Sequence, residues 1–117
     1  YLEHVQGELY GEVARHGRFD IDHPFSEVKK RAEDTVGVDC ITGDGWLVAG
    51  EAASAIDRGC GNVLILHPFG CLVSHVSSRG ILKTLRKHYP GINIQTIEYD
   101  YDSSDTLLES RILMGLG

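Results

Sequence analysis

Apolar residues along this chain fall into distinct spacings, and each spacing predicts a different element. Leu2, Val5, Leu9 and Val13 recur at near-helical intervals through residues 1–17, predicting a first helix that Gly7 and Gly11 weaken and Gly17 stops. Val28, Ala32 and Val36 repeat every four positions and predict a second helix over 27–35, with Ser26 as its cap. Both segments are mostly polar, so residues 1–41 read as a helical layer laid against something else. The glycine-rich run Gly37–Gly45 is a turn-rich connection that could hold a third strand at Val38–Ile41.

The pattern changes at residue 42. Residues 46–58, from Trp46 to Arg58, predict a strong helix capped by Asp44 or Gly45 and ended at Gly59 or Gly61. Its small residues suit close packing on a sheet. Asn62-Val63-Leu64-Ile65-Leu66-His67 is a nearly unbroken branched apolar run, the mark of a parallel strand buried on both faces. A helix over 73–89 should turn Val73, Val76, Ile81, Leu82 and Leu85 inward and Lys83, Arg86 and Lys87 outward, ending at Pro90-Gly91. A second strand at 92–99 and a last helix at 104–114, capped by Ser103 or Ser104, complete the series. Strand, helix and strand in succession form a βαβ unit. The expected fold is α/β: a small Rossmann-like or flavodoxin-like lobe, with N-terminal helices over 1–41 and a βαβ core over 42–117. So short a sheet leaves exposed edges that a homodimer, or further domains of a parent chain, would cover.

Composition narrows the function. With 117 residues, 42% of them hydrophobic and 24% charged, the chain suits one small folded domain. The net charge of −6, from 11 basic and 17 acidic residues, disfavours nucleic acid as a partner, and Lys29-Lys30-Arg31 and Lys83…Arg86-Lys87 read as solvated helix faces. No apolar run approaches the ~20 residues of a membrane span, and the opening Tyr1-Leu2-Glu3-His4 lacks the layout of a signal peptide. Tyr1 in place of methionine reads as a piece of a longer polypeptide. Three cysteines, Cys40, Cys60 and Cys71, form no disulfide framework and point to a reducing cytoplasm.

Ligands of parallel sheets bind beyond the carboxyl ends of the strands. The first strand empties into His67-Pro68-Phe69-Gly70-Cys71 and the second into Tyr99-Asp100-Tyr101-Asp102-Ser103-Ser104, so both loops share one edge. Cys71 follows a glycine turn and opens a helix, where free amides favour a thiolate; the plainer reading is a small buried apolar residue. Cys40 and Cys60 take that plainer reading. His67, Cys71 and His75 stand four apart and could serve zinc with water, although Pro68 and Gly70 prevent all three from sharing a helical face. Asp100, Asp102 and Asp105 offer oxygen ligands to a cation, but serve more simply to cap the last helix. Glu51 and Asp57 should face solvent, and His4, His16, His23 and His88 belong to the surface.

Four blocks carry a resemblance: Gly43-Asp44-Gly45-Trp46-Leu47-Val48-Ala49-Gly50-Glu51, Leu66-His67-Pro68-Phe69-Gly70-Cys71-Leu72-Val73-Ser74-His75-Val76, Ile97-Glu98-Tyr99-Asp100-Tyr101-Asp102-Ser103-Ser104 and Arg111-Ile112-Leu113-Met114. Together, over residues 42–114, they resemble the C-terminal end of 2-hydroxyacyl-CoA dehydratase-related proteins that include an ATP-dependent CoA-enzyme activase. The resemblance implies an iron–sulfur ([4Fe-4S]) electron-transfer protein, in which clusters held by cysteines sit in crevices between Rossmann-like lobes and act on an acyl-CoA substrate. Carried over, Cys71 is one cluster ligand and the metal-binding residue, presented by the Gly70 turn, while His75, Asp100 and Ser103 line the cofactor crevice. His67 and Ser74 stand where the family favours amide side chains, Glu109-Ser110 where it tends towards asparagine, and the ATP-binding motifs are absent. A four-iron cluster takes three or four cysteines, so this chain alone should hold none and be inactive. The competing expectation is a stand-alone interaction or small-molecule-binding domain with a structural Cys71; a thiol enzyme pairing Cys71 with His75 or His67 lacks an orienting third group.

Overall fold

A computed structural model of the chain describes residues 1–19, 21, 23–39 and 43–116. The first helix, α1 (Leu2–His16), runs through Gly7 and Gly11 and stops at Gly17, but buries none of its residues. Its link to the next helix is polar: the Phe25 amide donates to Gln6 Oε1 at 2.9 Å, and the Tyr10 hydroxyl donates to the His23 carbonyl at 3.2 Å. The second helix, α2 (Phe25–Thr35), starts two residues earlier than its spacing predicts. Pro24 occupies the cap position and no side chain caps it, so Ser26 lies within the first turn. Val28 and Ala32 are buried as the stripe requires.

Helix α3 (Gly45–Asp57) is capped in position by Asp44, without a side-chain hydrogen bond. Its small residues do two jobs. Ala49, Ala52, Ala53 and Ile56 join the core beside Ile65, whereas Gly50 lies against α2. A Cβ at Gly50 would drive into the Val28 carbonyl oxygen and reach Val28 Cγ1 at 3.0 Å, so the close approach of these two helices requires glycine there. Arg31 on α2 fastens the pair: its Nε donates to Asp57 Oδ2 at 2.7 Å and its Nη1 to Glu27 Oε2 at 3.2 Å. These two carboxylates raise the Arg31 pKa, the Asp57 hydrogen bond most strongly.

The strands β1 (Asn62–Pro68) and β2 (Asn93–Tyr99) pair in parallel, in register from Asn62↔Asn93 to Pro68↔Tyr99. Between them the chain runs through a single turn, α4 (Leu72–Ser74), a π-helical segment (His75–Arg79) and α5 (Gly80–His88). The last helix, α6 (Asp105–Leu116), follows β2. Among the described residues this is a two-stranded parallel sheet with helices packed around it, the expected α/β fold. The strand expected at Val38–Ile41 lies partly outside the described residues, as does Cys40. No described helix is long and apolar enough to cross a membrane.

Because paired residues in a parallel sheet share a face, Val63, Ile65 and His67 lie beside Ile94, Thr96 and Glu98 on one side. That inner side meets α3 and α5, and Ile65, Ile94, Ile81 and Leu85 are buried there. The outer side carries Leu64, Leu66 and Pro68 beside Gln95, Ile97 and Tyr99. Expected burial of β1 on both faces is therefore corrected: Leu64 is 38% and Leu66 62% exposed. The end of α6 reaches the near part of this face, where Gly115 lies by Leu64 and Gln95 and its carbonyl accepts from Asn93 Nδ2. Val76, expected inward, is 60% exposed, because the π segment shifts the helical phase before Ile81 and Leu85.

Candidate functional site

At the carboxyl edge of the sheet, β1 ends in a tight turn. Gly70 adopts φ 73°, a left-handed conformation that a side chain would strain, and Cys71 then takes the cap position of α4. The Phe69 amide donates to the Tyr99 carbonyl at 2.9 Å, which ties the two strand-end loops together. The Ser74 hydroxyl donates to Cys71 Sγ at 3.1 Å. Hydrogen bonds from the Ser74 side chain, the Ser74 backbone and the Val73 backbone lower the Cys71 pKa, against the opposing effects of desolvation and Asp44. The Ser74 hydroxyl, first among these, is what favours the thiolate of Cys71. Cys60 is a free, exposed thiol beyond the opposite end of β1.

A second group lies on the inner face of the same edge. His67 and Glu98 are register partners on β1 and β2, and His75 opens the π segment above them. The His67 and His75 rings meet edge to face, with centroids 5.2 Å apart at 64°. His75 Nε2 lies 2.8 Å from Glu98 Oε1, although the two are not aligned as a hydrogen bond. Arg79, at the far end of the π segment, donates from Nη2 to Glu98 Oε2 at 3.1 Å. His67 is 1% exposed, and neither of its ring nitrogens has a hydrogen-bond partner. Leaving a buried polar atom unpaired costs about 1–3 kcal/mol, so this imidazole is held at a clear energetic disadvantage. One potential ligand atom from each of His67, His75 and Glu98 lies within 4.8 Å of the others.

The zinc set His67, Cys71 and His75 that the spacing left open is not the one that converges. Among the described residues, the converging donors are two histidines and Glu98, and Cys71 is not one of them. The reason is the fold: β1 presents His67 inward, whereas the Gly70 turn leads Cys71 away to the helix cap. Asp100 and Ser103 form a turn of their own. The Asp100 amide donates to Ser103 Oγ at 2.7 Å, the Ser103 amide to the Asp100 carbonyl at 3.0 Å, and the Tyr101 amide to Asp100 Oδ1 at 2.7 Å. The Ser103 hydroxyl thus serves this turn, and the Ser104 carbonyl accepts the first amides of α6. His23 is half-buried and pairs with Glu27 at 3.0 Å, so its assignment to the surface is corrected as well.

Glu98 is the residue that sequence reading missed. No signal in the sequence marked it: aligning the ends of the two expected strands sets His67 beside Tyr99, one residue off the observed pairing of His67 with Glu98.

Compared with protein-family models, curated proteins and solved structures, the chain matches none of them.

Proposed function

We propose that this chain is a lobe of an iron–sulfur, ATP-activated protein of the 2-hydroxyacyl-CoA dehydratase type, and that Cys71 contributes one cluster ligand to a crevice completed by other domains. The observation that carries this reading is the setting of Cys71: a half-buried thiol at a strand end, with a lowered pKa and a rim of uncovered apolar residues. Leu66, Phe69, Leu72 and Val76 are 60–72% exposed along this stretch, and Tyr101 in the neighbouring loop is 95% exposed. Apolar surface of this extent suits contact with another domain. The two-stranded sheet of the described residues is also marginal by itself, which favours a lobe over an independent enzyme.

Among the described residues, Cys71 suits one contribution to a cluster. Cys60 stands beyond the far end of the seven-residue β1, about 20 Å away at the rise of a strand. A four-iron cluster takes three or four cysteines, so the remaining ligands come from elsewhere in the parent protein. When bound, the cluster supplies one-electron transfer. This chain's own part is to hold Cys71 as a thiolate, with the Ser74 hydroxyl donating to it, and to present it through the Gly70 turn. Free thiols at Cys60 and Cys71 suit a reducing, cytoplasmic location.

The test is anaerobic reconstitution of the full parent protein. Cys71→Ser should abolish or reshape its cluster absorption, and an unchanged cluster would overturn the ligand role. The chain expressed alone should bind no stable four-iron cluster.

One observation favours a second reading, a small-molecule-binding domain. A mainly apolar cleft of about 350 Å³ lies between the end of α2, the start of α3 and the π segment, lined by Val36, Trp46, Val76, Ile81 and Thr84 among others. The parent reading frame separates the two readings. Activase motifs upstream support the lobe, and a start codon immediately before Tyr1 supports the independent domain.

A further inference from the structure

We propose that His67, His75 and Glu98 bind one divalent transition-metal ion of the zinc type, at a site separate from Cys71. Three features converge on this site. Its donors are two imidazoles and one carboxylate, brought from three elements: β1, the π segment and β2. Two nitrogens and one oxygen suit zinc, cobalt(II) or iron(II), whereas magnesium and calcium take all-oxygen sets.

His67 supplies the second feature. Its ring is 1% exposed and lacks any partner for either nitrogen, yet it packs against His75 and lies beside Glu98 in the register. A satisfied core histidine would donate one N–H to a carbonyl or carboxylate. A lone pair aimed into a group of other ligands is what a metal would use.

The third feature is the support of the carboxylate. Arg79 holds Glu98 Oε2 at 3.1 Å, which leaves Oε1 directed at His75. Metal-ligating carboxylates are themselves hydrogen-bonded in this way. Ligand atoms around a tetrahedral zinc stand about 3.4 Å apart. The 2.8 Å His75–Glu98 approach therefore needs to open by about half an ångström, and the rest of the group needs to close from within 4.8 Å. Three protein ligands leave a fourth position for water or a substrate atom, the arrangement of catalytic rather than structural zinc sites. The Arg79 charge opposes the cation, so its removal strengthens the electrostatics while loosening Glu98.

The inference is independent of the iron–sulfur reading, because it makes no use of Cys71. The experiment is titration of the tag-free, chelator-stripped chain with Zn²⁺ by calorimetry and with Co²⁺ by visible absorption. One equivalent should bind, with cobalt bands of a four- or five-coordinate site and no thiolate charge-transfer band. His67→Ala and Glu98→Gln should each weaken binding about 100-fold or more, since even a supporting residue is typically worth 10–100-fold. Cys71→Ser and the exposed His4→Ala should leave it unchanged. Circular dichroism identifies variants that fail to fold, and the near-isosteric Glu98→Gln carries the test if His67→Ala does. Binding below a tenth of an equivalent, equal affinity in Glu98→Gln, or loss of binding in Cys71→Ser would each overturn the assignment. The first of these would mark the cluster as a His75–Glu98–Arg79 ion pair.

Discussion

The two faces of the sheet use the same strands in opposite ways. On the inner face, Ile65 and Ile94 sink into a core shared with α3 and α5, and the row ends in His67 beside Glu98. On the outer face, Ile97 of β2 is buried, whereas its partner Leu66 on β1 is 62% exposed and the end of α6 reaches Leu64. An unbroken apolar strand thus shows its capacity for burial on both sides without showing that both sides are covered within this chain. The inner face carries the stability and the convergent histidines; the outer face and the strand-end loops carry the surface that another domain or a second copy would cover.

Substitutions can break this contrast in order of size. Leu85→Ala on α5, at a fully buried position, should lower stability by about 2–5 kcal/mol, read by urea unfolding. A much smaller loss would mean that the inner core is loosely packed. Gly50→Ala, one layer further from the sheet, should cost about 1–3 kcal/mol, because α2 must move off the new methyl group. Ser74→Ala acts where the faces meet. It removes the largest influence lowering the Cys71 pKa, so the pH at which alkylation of Cys71 reaches half its maximal rate should rise towards that of an ordinary thiol. In the unaltered chain, the same half-rise should fall below that of an ordinary thiol. Leu66→Thr on the outer face should change the stability of the isolated chain by no more than about 0.5 kcal/mol. A large loss there would show that the outer face is covered after all, most simply by self-association.

Much of this arrangement was legible in the residues. The change from helical spacing to a branched run at Asn62, and back again at Leu72, marked β1 and the helix after it. The parallel pairing followed from the crossover. Gly70 and Cys71 were recognisable as a turn and the approach to a helix from their order alone.

What was not legible depends on pairing across the chain. Glu98 reads as one polar residue in a strand until the register sets it beside His67, and no local pattern encodes that register. The π segment was hidden for a different reason. Ser77, Ser78 and Gly80 are weak helix formers that permit a widened turn without demanding it. That widening places both His75 and Arg79 against Glu98 and leaves Val76 exposed. The cap at Ser26 failed because Pro24, whose fixed φ suits the start of a helix, moved the boundary.

X-ray absorption at the zinc edge of the Zn²⁺-loaded chain tests the central claim most directly: that the chemistry on the inner face is distinct from the thiol at the loop. The account predicts a first shell of nitrogen and oxygen only, at about 2.0–2.2 Å, with the outer-shell scattering of two imidazoles. A sulfur neighbour at about 2.3 Å would contradict it, because the metal would then be held by Cys71 instead of Glu98.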